Sequence, residues 1–201
     1  MWPKFTGVFI RKPPETDPHD EAVPEREALN GRWGLVPGRT RPEGAEKQLK
    51  LSTFNARDDR VVKSFTFGEA WRRAQHCIVP IEAFYEPDWR SGKAVPTRFT
   101  RTDGQAMGIA GLWDTWNEPG KGVLLSFTML TINANNHPLL RDYHRPTDEK
   151  RMIVVLSESR YQEWLKAPAA ASMELLRQYP ADKLLATPRP PKKKTETLQL
   201  I

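Results

Sequence analysis

Three short segments carry side chains able to move protons or hold phosphate where plain packing would not ask for them. Thr53-Phe54-Asn55-Ala56-Arg57 sets an amide and a guanidinium two residues apart. Glu82-Ala83-Phe84-Tyr85-Glu86-Pro87 closes an apolar run with an acid. Asn135-Asn136-His137-Pro138 and Tyr143-His144-Arg145-Pro146 lead into Lys150-Arg151-Met152-Ile153-Val154-Val155-Leu156. A carboxyl at the mouth of a buried strand binds its proton more tightly than one in water, which suits it to acid or base catalysis. The same carboxyl beside a loop arginine is only a salt bridge. For Glu86 alone both readings stand, and His144 in its polar loop is equally ambiguous.

Other chemistries are excluded by type and spacing. The chain has no Gly-x-Gly-x-x-Gly or Gly-x-x-x-x-Gly-Lys phosphate loop, no His-Glu-x-x-His and no Gly-x-Ser-x-Gly. Its histidines are His19, His76, His137 and His144, with no helical i, i+4 pair among them. The single cysteine, Cys77, adjoins His76, and neighbours on a strand face opposite ways. We therefore expect no metal and no cofactor, and Cys77 reads as a small core residue.

These groups need elements to hold them. Phe5 to Ile10 and Arg32 to Pro37 read as short strands, with a Pro-rich acidic loop over residues 12–30 between them. Ser64 to Gln75 reads as a helix with Ser64 as its cap and Phe67 and Trp71 on one face. Cys77 to Tyr85, Thr97 to Thr100, Ala106 to Trp113, Leu124 to Ile132 and Arg151 to Leu156 read as extended, with a turn at Asp103-Gly104. A helix capped by Ser157 runs to Leu165, and a shorter one spans Ser172 to Gln178. Many short strands and few helices give an α+β fold, a mostly antiparallel, twisted or barrel-like sheet with flanking helices. We expect one domain over residues 1–187 and a basic, flexible tail over 188–201.

The 201 residues are 38% hydrophobic and 28% charged, too apolar for a disordered chain. No run of 18 apolar residues spans a membrane and no apolar signal core opens the chain, so a cytoplasmic, monomeric protein is expected. Thirty-one Lys and Arg against 25 Asp and Glu give a net charge of +6. Four of those cations lie in Arg189-Pro190-Pro191-Lys192-Lys193-Lys194, so the excess argues only weakly for a polyanionic partner.

The segments taken together resemble the SOS response-associated peptidase (SRAP) family. The resemblance is carried by Arg32-Trp33-Gly34-Leu35-Val36-Pro37, Phe54-Asn55-Ala56-Arg57, Cys77-Ile78-Val79-Pro80 with Phe84-Tyr85-Glu86, Ala110-Gly111-Leu112-Trp113, Leu130-Thr131-Ile132-Asn133-Ala134, and His144 with Arg151-Met152. These come in the family's order over roughly residues 30–165. The resemblance implies recognition of abasic sites in single-stranded DNA during the SOS response to damage. In the family an N-terminal Cys contributes amine and thiol to a thiazolidine crosslink with the ring-opened sugar. It assigns Asn55 to hold the N-terminus, Glu86 and His144 to move protons, and Arg57 to grip phosphate. Arg60, Trp33, Thr131 and Arg151 complete the DNA-binding set, Trp33 either stacking on a base or filling the core. Asn55, Glu86 and His144 are then expected to line one concave, basic pocket. Residues Pro146 to Lys150 lengthen the segment after His144, with His137 as the second candidate.

Position 2 is Trp2, where the family has its Cys. Phe5 to Pro13 resembles an internal family segment, so the chain reads as starting where the family's second strand begins. These 201 residues are expected to form no heat-stable crosslink. The rival readings are a non-catalytic DNA- or protein-binding module and, last, a self-processing peptidase, for which no Ser or Cys nucleophile with a base is evident.

Overall fold

The computed structural model describes residues 3–14 and 24–189. Trp2, His19 and the tail from residue 190 onward lie outside the described residues.

Five strands close into a barrel. Strand β1 (Thr6–Arg11) pairs antiparallel with β2 (Glu27–Trp33) and, on its other edge, with β4 (His76–Ile81). Strand β4 pairs with β7 (Met107–Glu118), which pairs in turn with β8 (Gly122–Asn133). The ring closes where β8 meets β2 in parallel, Ser126 opposite Arg32 and Phe127 opposite Trp33. Closure matters because an open edge leaves a row of unpaired backbone groups. Phe9 and Phe127 fill the interior with ring centroids 5.5 Å apart, and Trp113, the cross-strand partner of Phe127, also stacks on Phe9 at 6.5 Å. Gly111 is required where β7 presses on β8: a Cβ there would lie 2.5 Å from the Thr128 carbonyl oxygen and 2.9 Å from Cys77 Sγ.

Strand β8 is longer than the barrel needs. Its last residues leave the ring and gather two short strands, β3 (Asn55–Arg57) in parallel and β9 (Arg151–Ile153) antiparallel. Ser126 to Ile132 are buried on both faces, which explains why this strand reads as a nearly continuous apolar run. Strand β10 (Val155–Leu156) returns to β7. A second sheet holds β5 (Phe84–Asp88), β6 (Val95–Arg101) and β11 (Leu184–Pro188), with β6 in the middle. The helices are short: α1 (Ala45–Lys50), α2 (Asp58–Val61), α3 (Gly68–Arg72), α4 (Tyr161–Lys166) and α5 (Ala169–Ser172). Helix α4 packs on β4, where Trp164 Nε1 donates to the Cys77 carbonyl at 2.9 Å.

Several expected boundaries move. Strand β2 lies at Glu27–Trp33, not Arg32–Pro37: Gly34 at φ +131° turns the chain, and Leu35 to Pro37 are a buried loop. Cys77 to Tyr85 is two strands in two sheets. The Ser64–Gln75 helix is confined to Gly68–Arg72; Ser64 Oγ instead accepts the amides of Thr66 and Phe67 in the preceding turn. Ser157 makes no capping bond, and its segment opens as a single 3-10 turn before α4.

Candidate functional site

Strand β5 is the edge of the second sheet, and that position determines what Glu86 meets. Side chains alternate along a strand, so Phe84 and Glu86 share a face. Phe84 stacks on Phe99 at 4.9 Å, and Phe99 meets the edge of Tyr143 at 4.8 Å. Across the β5–β6 ladder Glu86 faces Thr97, which is buried. Removal from water disfavours the carboxylate, so the Glu86 pKa rises from 4.5 to about 8. At neutral pH Glu86 is a carboxylic acid.

The free edge of β5 takes up the loop carrying His144. Asp88 forms an antiparallel bridge with Tyr143, and the His144 amide donates to the Pro87 carbonyl at 2.9 Å. Pro87 has no N–H to lose from an edge strand, but its carbonyl still accepts. His144 is held at φ +66°, a left-handed conformation that costs a non-glycine residue of order 1 kcal/mol or more. Its Nε2 lies 3.1 Å from Glu86 Oε2 and 3.1 Å from the Arg151 carbonyl. A carbonyl only accepts, so Nε2 carries the hydrogen and is shared between the two oxygens, leaving Nδ1 as the basic atom. Burial lowers the His144 pKa, so the ring brings no full charge at neutral pH to pull Glu86 back towards ionisation.

Glu86 opens into a cavity of about 670 Å³ whose lining includes Asn55, Trp33, Tyr85, Met129 and Pro3. Asn55 arrives on β3, opposite Met129 of β8, and its amide has no hydrogen-bond partner among the described residues. Trp33 is half-buried; it donates to the Phe54 carbonyl at 2.9 Å and packs edge-on against the Phe54 ring. It thus both fills space and faces the cavity. The three segments singled out by chemistry do converge: Asn55, Glu86 and Trp33 share one lining, with His144 behind Glu86. The expected basic character is missing, since no Lys or Arg is among the described lining residues.

Two of the three candidate DNA-binding arginines, Arg57 and Arg151, are occupied. Arg57 forks onto Asp59 at 2.9 and 2.8 Å and reaches Glu149 at 2.6 Å. Arg151 bonds Asp58 at 2.6 Å, Glu149 at 3.1 Å and the Thr131 carbonyl at 2.5 Å. Glu149, also bonded by Asn133, Arg57 and Arg151, has its pKa lowered to about 2, and Arg57 does the same for Asp59. Two guanidinium groups thus meet three carboxylates. Thr131 is buried, its hydroxyl turned to Arg151 and Ala56. Arg60 is exposed and comes no nearer than 4.0 Å to Asp59.

His137 is spent on structure. Its Nε2 bonds the Tyr179 carbonyl at 2.8 Å, and its Nδ1 accepts the amides of Leu139 and Leu140. His144, not His137, is the histidine that meets Glu86. Cys77 is fully buried and its pKa is raised well above the usual thiol value. Among the described residues no three of His, Cys, Asp and Glu gather as metal ligands, and no helix is long and apolar enough to cross a membrane. Sequence reasoning missed Asp58, Asp59 and Glu149 as countercharges; their one visible signal is the acid-rich spacing around each arginine.

The sequence and fold find clear relatives. The family model described as SOS response associated peptidase (SRAP) matches residues 2–191. The abasic site processing protein YoqW of Bacillus subtilis is 28% identical over 159 residues, 77% of this chain and 66% of that protein. The mouse abasic site processing protein HMCES is 25% identical over 80% of this chain and 51% of its own length. The chain thus spans between about half and two thirds of these curated relatives. A crystal structure of a Bordetella bronchiseptica protein superposes with a TM-score of 0.86 at 52% identity, covering 94% of this chain and 86% of that one.

Proposed function

The chain belongs to the SOS response associated peptidase family, and from that premise we propose that it recognises abasic sites in single-stranded DNA, with Glu86 and His144 moving the protons of the sugar. The observation that carries the proposal is the 3.1 Å pair of Glu86 and His144 at the wall of a cavity shared with Asn55 and Trp33. Relatives named abasic site processing proteins, YoqW and HMCES, support the choice of substrate.

An abasic deoxyribose is a cyclic hemiacetal in equilibrium with an open aldehyde. Opening breaks the C1′–O4′ bond, puts a proton on O4′ and removes one from the anomeric hydroxyl, whose oxygen becomes the aldehyde. Glu86, protonated at neutral pH, supplies the first proton. The carboxylate left behind is held by His144 Nε2–H and takes up the anomeric proton, which restores the acid. The bonds from the His144 amide to the Pro87 carbonyl and from Nε2 to the Arg151 carbonyl keep the ring on Glu86 against the cost of its left-handed backbone. Asn55, its amide unpaired among the described residues, is left to hold a polar group of the sugar or of the N-terminal segment, which enters the lining at Pro3.

The test is fluorescence anisotropy with a labelled oligonucleotide carrying one abasic site, the same strand without it, and the duplex. The abasic single strand should bind most tightly, more weakly as salt rises; equal affinity for all three would overturn the reading. A thiazolidine needs amine and thiol on one residue, and Cys77, the only cysteine of the 201 residues, is buried in β4. These residues should therefore leave no heat-stable adduct on a denaturing gel.

A further inference from the structure

The cavity presents a difficulty for a polyanionic ligand: its described lining holds no cation, and Arg57 and Arg151 nearby are already bonded to carboxylates. Arg90 is likewise forked onto Asp88, and Arg101 onto Asp103 and Glu158. Arg145 differs. It follows His144 directly, is exposed, and makes no ion pair among the described residues. Its guanidinium carbon lies 5.0 Å from the ring centre of Trp89, three residues past Glu86.

The same backbone register brings both pairs together. The Asp88–Tyr143 bridge and the bond from the His144 amide to the Pro87 carbonyl lock the two segments side by side. That lock sets Glu86 against His144 and, at the flank, Trp89 under Arg145. The loop after Arg145 is closed on itself: the Asp148 amide and Lys150 Nζ both donate to the Arg145 carbonyl. The acids of this loop are engaged elsewhere or turned locally, Glu149 with Arg57 and Arg151, and Asp148 accepting from Thr147. A half-buried indole under an unpaired guanidinium offers what one nucleotide needs: a flat surface for its base and a planar fork for its phosphate.

We propose that Trp89 and Arg145 form the contact for a nucleotide flanking the abasic position, the base stacking on this pair and the phosphate bonding Arg145. The proposal rests on single-stranded DNA being the ligand; it adds the site at which an intact neighbour is held. It assigns affinity, rather than abasic selectivity, to these two residues.

The full chain is titrated with abasic and intact single strands across a salt series, beside Trp89→Ala, Trp89→Leu, Arg145→Ala and, as comparator, Arg57→Ala. Trp89→Ala should weaken binding about fivefold or more, equally for both strands, since losing one stacked base costs that much. Trp89→Leu keeps apolar volume without the aromatic face and should weaken binding similarly, which separates stacking from loss of fold. Arg145→Ala should reduce the salt slope by about one counterion, and Arg57→Ala should change it less. If wild type prefers abasic DNA while the Trp89 and Arg145 variants keep both affinity and slope, the platform is overturned and the abasic reading stands. If wild type shows no abasic preference but these variants lose single-strand binding, the abasic reading falls and the platform stands. A chain that binds no single strand overturns both.

Discussion

His76 and His144 are both withdrawn from water and both have their pKa lowered by burial, yet their surroundings differ in kind. His76 stands at the foot of β4, its ring stacked on Trp164 at 4.0 Å with the edge of Trp71 beyond. Ser172 gives its hydroxyl hydrogen to the Pro168 carbonyl, so its oxygen accepts from His76 Nε2; His76 Nδ1 has no partner among the described residues. Among the described residues no acid bonds it. His144 has a carboxyl at 3.1 Å and a cavity in front of that carboxyl. Burial alone therefore makes a neutral histidine, not a site. The second region is chemical because two titratable groups are held neutral side by side, one with a proton to give and one with a hydrogen to stabilise what remains.

The contrast can be broken most forcefully at Glu86. Glu86→Gln keeps size and the acceptor for His144 but has no acid proton. The rate at which an aminooxy reagent captures the opened sugar of bound abasic DNA should fall on the order of 100-fold or more, with affinity nearly unchanged. A non-catalytic module would show the same capture rate in both proteins. Next in size, Trp164→Ala empties the His76 side and removes the indole bond to the Cys77 carbonyl, costing about 3–5 kcal/mol in urea unfolding. Capture per folded molecule should not change.

The two buried groups also tilt stability in opposite directions with pH. Folded Glu86 holds its proton to about 8, whereas an unfolded glutamate releases it near 4.5. The folded state binds more protons in that window, so Glu86 subtracts stability as pH rises through it, by roughly 4 kcal/mol at pH 8. Urea midpoints of wild type and Glu86→Gln should diverge across the window, the variant being the more stable at high pH. His76, at about 4 against 6.5 unfolded, works in reverse. The unfolded state binds more protons between those values, so stability is lost as pH falls from 6.5 towards 4, by about 2–3 kcal/mol. His76→Phe should remove that acid-side loss and leave the alkaline one.

The residues of the cavity were legible because each sits in a short motif with a fixed partner: Asn55 beside the apolar Ala56, Glu86 at the end of an apolar run. The state of the arginines was not. Whether Arg57 and Arg151 are free or bound depends on Glu149 reaching both across the space between β3 and β9, and no local spacing reports that. Likewise His137 and His144 look alike in sequence; only the Tyr179 carbonyl and the Leu139 and Leu140 amides decide between them. Strand β2 was placed late because its first residues, Glu27 to Asn30, mix polar and apolar types and none of them is buried, while the apolar residues from Leu35 belong to a loop.

The overhang of β8 past the barrel has a consequence for the order in which the protein is built. Among the described residues strand β3 pairs with β8 alone, and β9 pairs with the same overhang. A nascent chain that has delivered Asn55 and even Glu86 has nothing to set Asn55 against until β8 emerges, and no loop to lay on β5 until His144 follows. Pairings so far apart in sequence form slowly, because the loop between them must be closed first. The barrel's own closing pair, Arg32 with Ser126, spans a longer loop than Glu86 with His144, so the order of delivery during synthesis is not the order of refolding, in which the acid–imidazole pair should not trail the burial of Phe9 against Phe127.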